Sequence, residues 1–83
     1  MPTLKDLRER AMLSQSELAQ MIGVHQQTVH IWESGRFKPL PRYQRKLVEA
    51  LHSTPDELLA ALKETQQQRK KKEEPENKER PAA

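Results

Sequence analysis

Apolar residues between Leu4 and Leu62 fall in five short runs at helical spacing, each bounded by residues that start or stop helices. Leu4, Leu7 and Ala11 share one face of a first helix expected from about Thr3 to Met12, with Thr3 as cap and Asp6 near its start. Leu18, Ala19 and Ile22 make the inner face of a second helix, and Val29 and Trp32 that of a third. Tyr43, Leu47, Val48 and Leu51 define a fourth over Pro41 to His52. Leu58, Leu59 and Leu62 form the stripe of a fifth that begins at Pro55.

Local signals sharpen these boundaries. Ser14-Gln15-Ser16-Glu17 is a capping box, in which serine and glutamate each satisfy the other's backbone amide. Losing Ser14 should cost about 1 kcal/mol. Gly23 ends the second helix where a positive φ is needed, and Ala19 is small enough to let two helices cross closely at a steep angle. Pro39 and Pro41 exclude a helix between them, so 36–40 is a loop and Pro41 opens the next helix. Phe37 in that loop is expected to cover the core beneath it, with an exposed contact to DNA sugar or to a partner subunit as the alternative. Thr54-Pro55-Asp56-Glu57 repeats the start signal for the fifth helix.

With Val29 and Trp32 turned inward, Gln27, His30 and Ile31 point outward and Gln26 lies at the flank near the helix start. The residues Leu7-Arg8, LSQSELA, Gly23, QQTV and WESG, in this order and spacing, resemble the lambda-repressor-like helix-turn-helix family of phage repressors and Cro proteins. The resemblance covers about residues 3–62. It implies an all-α, five-helix DNA-binding domain, with Gln15 to Ile22 as second helix and Gln26 to Glu33 as recognition helix. An ordinary helical hairpin in another small bundle is the plainer alternative. Within the resemblance, Gln26, Gln27, His30 and Ile31 occupy base-reading positions, and Gln15, Thr28, Arg36, Lys38 and Arg42 backbone-contacting ones. Ser14, Ala19, Gly23, Val29 and Trp32 are structural, as is an ion pair of Arg8 with Glu33.

Two positions depart from the family pattern. His25 stands where a serine or threonine cap is common, and Ile31 replaces a polar residue; it offers a contact to a thymine methyl but no hydrogen bond. His25 and His30 do not share a helix face, which argues against a metal site, and no cofactor is implied.

Charge adds to this reading by its placement. The net charge of +3 on 83 residues is only mildly basic. Yet Arg36, Lys38, Arg42, Arg45 and Lys46 follow the recognition helix with no acid among them, as phosphate neutralisation would require. The 63–83 segment has no aromatic or branched apolar residue, and its RKKK run, which offers a nonspecific DNA tether as the alternative to a solubilising role, is largely offset by Glu73, Glu74, Glu76 and Glu79. A domain over 1–62 followed by a charged, largely disordered, solubilising tail is the expectation, with Pro75 ending any transient extension of the fifth helix.

With no cysteine, disulfides and thiolate metal sites are excluded. No run reaches the roughly 20 apolar residues of a membrane span, and the N-terminus lacks a signal-peptide core. A soluble cytoplasmic protein, bacterial or phage and nucleoid-associated, is expected. Asp6, Glu9, Glu17, Glu33, Glu49, Asp56 and Glu57 are assigned to helix starts, exposed faces or the ion pair, so no enzyme is expected. The leading function is a small repressor that binds double-stranded DNA as a homodimer on a palindromic operator. A protein-interaction adaptor or antitoxin-like component with the same fold is the rival. Leu59 or Leu62 serves either the core or a second subunit.

Overall fold

Five helices follow one another: α1 (Leu4–Arg10), α2 (Gln15–Ile22), α3 (Gln26–Ser34), α4 (Pro41–Leu51) and α5 (Pro55–Glu79). The computed structural model describes residues 2–79, with side chains as far as Lys70, and holds no strand among them. The fold is all-α, and the starts of α1, α2, α4 and α5 lie where the local signals put them.

Capping sets the starts. Ser14 and Glu17 form the reciprocal box that opens α2, and Thr3 forms another with Asp6 at α1, where Thr3 N–H donates to Asp6 at 2.9 Å. At α5 the Glu57 N–H donates to Thr54 Oγ1 at 3.1 Å. The Glu57 carboxylate meanwhile accepts two hydrogen bonds from Arg10, at 2.8 and 3.1 Å. α1 stops at Arg10, short of Met12, because Met12 takes a left-handed conformation at φ 61° and Leu13 N–H returns to Arg8 O. Gly23 ends α2 at φ 89° and Gly35 ends α3 at φ 83°.

The core gathers one face of every helix: Leu4 and Leu7 of α1, Leu18, Ala19 and Ile22 of α2, and Val29 and Trp32 of α3 meet Leu47, Leu51, Leu58 and Leu62. Ala19 lies buried in the angle between α2 and α3, as its size requires. Trp32 packs against Tyr43 with ring centroids 5.7 Å apart, which ties α4 to α3.

Three expectations need correction. Phe37 does not cover the core; it is 63% exposed, while the neighbouring Pro39 is buried. Leu59 faces out at 53% exposure, and the inner stripe of α5 runs instead through Leu58, Ala61, Leu62 and Thr65, a spacing of three and four. Helix five also does not stop near Leu62 or at Pro75, which lies inside α5. Residues 63–74 are mostly good helix formers, and the turn after Leu62 is anchored: Leu4 N–H donates to the buried Thr65 hydroxyl at 3.0 Å. α5 runs through position 62 without interruption. The last four residues of the expected tail lie outside the described residues.

Candidate nucleic-acid interface

The outer side of α3 carries Gln26, Gln27 and His30 exposed to solvent, with Thr28 and Ile31 partly covered. This exposure follows from the turn. Gly23 and Val24 both donate to Ala19 O, at 2.8 and 3.0 Å, closing α2 tightly so that α3 leaves at a steep angle with Val29 and Trp32 inward. Lys46 Nζ donates to Ile22 O at 3.3 Å, giving the end of α2 one more donor.

His25 begins α3 with extended backbone but no side-chain cap, in keeping with a ring poorly shaped for that role. The first amides of the recognition helix are thus left without a side-chain acceptor from the N-cap.

Behind the exposed face runs a chain of polar side chains that links three helices. Arg8 grips the Glu33 carboxylate through Nε and through Nη2, the latter at 3.2 Å, and donates from Nη1 to Leu13 O at 2.8 Å. Both side chains are buried, at 10% and 6% exposure, so the pair is no ordinary surface contact. The Glu33 hydrogen bond holds the Arg8 guanidinium above its usual basicity, partly offset by burial. Glu33 also accepts from Gln15 Nε2 at 3.0 Å, and Gln15 Oε1 accepts from Gln26 Nε2 at 3.5 Å.

This arrangement has a directional consequence. A carboxylate only accepts, so Glu33 turns the nitrogen end of the Gln15 amide toward itself and leaves its oxygen facing Gln26. Gln26 Nε2 faces that oxygen across a long contact of 3.5 Å, with its nitrogen end toward Gln15. The sequence placed Gln15 against phosphate; the fold turns it first toward Glu33 and Gln26. Nothing local announces that link, because the partners are 18 and 11 residues away.

The expected backbone-contacting cations follow α3 in the chain. Arg36 and Lys38 are exposed in the loop after α3, where Arg36 N–H donates to Ser34 Oγ at 3.3 Å. Arg42 stands over the Tyr43 ring, 4.9 Å from its centroid, and donates to the Tyr43 hydroxyl at 3.3 Å. Through Tyr43 and Trp32 its position is referred to the recognition helix. No cluster of potential metal ligands occurs among the described residues.

A short helix, a tight glycine turn and a second helix whose polar face is open and braced from behind define a DNA-binding helix-turn-helix. The helix-turn-helix family model matches residues 4–58, and the chain belongs to that family, of the lambda-repressor and Cro kind. Neither a curated protein nor a solved structure matches the chain. No helix among the described residues is long and apolar enough to cross a membrane.

Proposed function

We propose that the protein is a sequence-specific transcriptional regulator, a small repressor that binds a partly palindromic operator as a homodimer. The observation that carries this reading is the Arg8–Glu33–Gln15–Gln26 chain, which orients an exposed amide on the recognition helix before any ligand arrives. With α3 in the major groove and α2 across the backbone, Gln26 keeps one nitrogen hydrogen and its oxygen for a base edge. Those two groups match adenine N7 and N6, a pairing that discriminates by about 1–3 kcal/mol. Gln27 reads the neighbouring base, His30 reaches the next, and Ile31 packs on a thymine methyl.

Phosphate contacts fall to the second hydrogen of Gln15 Nε2, to Thr28, and to Arg36, Lys38 and Arg42. They supply affinity that falls with salt and carries no sequence information. One domain reads too few base pairs for high specificity, and two half-sites a helical turn apart restore it. An open groove of about 430 Å³ between α4 and α5, lined by Pro41, Val48, Pro55, Leu58 and the exposed Leu59, is the apolar surface a second copy would cover.

Selection of bound sequences from a random duplex pool tests this reading, repeated with Gln26→Ala and Gln27→Ala at one fixed low salt. A repeated half-site that relaxes at single positions in the variants is expected. A pool that stays random while binding remains weak would move the α3 face to a protein partner instead.

A further inference from the structure

The basic run that begins at Arg69 reads, from composition, as part of a solubilising tail. The fold gives its first residues a fixed address. α5 crosses the last turn of the recognition helix at Gly35, where a β-carbon would stand 2.9 Å from Thr65 O, 3.2 Å from Arg69 Cβ and 3.3 Å from Gln66 Cα. Thr65 is held in turn by Leu4 N–H and by its own bond to Ala61 O at 2.8 Å. Arg69 and Lys70 therefore line, with Gly35 and Gln66, a shallow cleft at the end of α3. The next residue in the chain after Gly35 is the exposed Arg36.

Arg36 thus follows directly on the residue against which α5, with Arg69 and Lys70, is packed. Of the acids on the neighbouring elements, Glu33 holds Arg8 and Gln15, Asp6 caps α1, and Glu64 accepts from Gln68 at 3.3 Å.

We propose that Lys70, with Arg69 and Arg36, contacts the DNA phosphate backbone, so that α5 widens the footprint of the helix-turn-helix on its operator; this rests on the DNA-binding reading above. Arg69 and Lys70 lie on a helix locked to α3, so their distance from the groove-facing residues is set by packing. Such a contact adds to affinity for any sequence and raises the number of counterions released. If these cations only complement the negative end of the α3 dipole, they contribute to stability and leave the salt dependence alone.

The test uses the full chain and the duplex recovered by selection, with a scrambled duplex beside it. Binding is titrated by fluorescence anisotropy at several salt concentrations for the wild type, Lys70→Gln, Arg69→Gln and Lys63→Gln, each with its melting temperature. Lys63 is exposed two turns earlier on α5, so its variant has the same charge loss away from the cleft. Lys70→Gln is expected to lower the slope of log K against log salt by about 0.9, weakening both duplexes by one factor at an unchanged melting temperature. Arg69→Gln should lower the slope likewise, whatever it does to stability. An unchanged slope in Lys70→Gln, or an equal drop in Lys63→Gln, overturns the proposal while DNA binding itself stands. A wild type that binds neither duplex overturns both.

Discussion

Gln15 Nε2 donates to Glu33 at 3.0 Å, joining the first residue of α2 to the last turn of α3. Glu33 accepts from Arg8 at the same time, so one carboxylate fixes helix geometry and the orientation of an exposed glutamine pair. Structural support and the orientation of exposed side chains on α3 therefore share a residue.

Removing one member of the buried pair leaves the other charged and unpartnered. Glu33→Ala should cost about 3–5 kcal/mol, a large share of the stability of a domain this small. The double change Arg8→Met with Glu33→Leu should lose clearly less than the sum of the single variants. Urea unfolding followed by circular dichroism measures all of them, and strict additivity would show that the two side chains are not coupled.

The two helix-ending glycines differ in what surrounds them. At Gly23 an added β-carbon meets nothing within 4 Å, so Gly23→Ala costs only the left-handed backbone, about 1–2 kcal/mol. Gly35→Ala adds a collision with Thr65 O and the neighbouring α5 backbone, and should be the more destabilising of the pair. Melting temperatures decide the order, and equal losses would mean that α5 is not seated on Gly35.

Thr65 is the polar residue buried where α5 meets α1, accepting from Leu4 N–H and donating to Ala61 O. Thr65→Val keeps the volume but strands the Leu4 amide, and should cost about 1–3 kcal/mol. Thr65→Ser retains the hydroxyl and should recover most of that loss. Hydrogen exchange at the Leu4 amide gives a local readout, with faster exchange in the valine variant alone.

Acid should loosen two helix starts. The Ser14 backbone amide holds the Glu17 carboxyl below its usual range, and the Arg10 hydrogen bond does the same for Glu57. A carboxyl depressed in the folded state adds stability above its unfolded pKa, near 4.5, and that stability is lost as pH falls through the folded value. The urea midpoint should therefore fall between about pH 5 and pH 3. Glu17→Gln and Arg10→Gln should each flatten that limb. Ser14→Ala should leave much of the Glu17 contribution, since the backbone amide remains the main donor.

The sequence by itself determined whatever depends on neighbours within about one helical turn. Ser14 with Glu17 placed the start of α2, Pro41 and Pro55 the starts of α4 and α5, and Gly23 the turn, because caps, proline and positive φ act between residues three or four apart. The inward face of α3 was equally legible from the spacing of Val29 and Trp32. Even the Thr3–Asp6 box was written locally, as a threonine three residues before an acid. Tertiary structure decided the rest. Whether Phe37 or Pro39 is buried, whether Leu59 or Ala61 faces the core, and which way Gln15 turns depend on partners that no local spacing encodes. The course of α5 past Leu62 is the plainest case. Its polar composition predicted a loose tail, yet a buried threonine meets a backbone amide 61 residues away, and a glycine without a side chain leaves room for α5 to lie against α3.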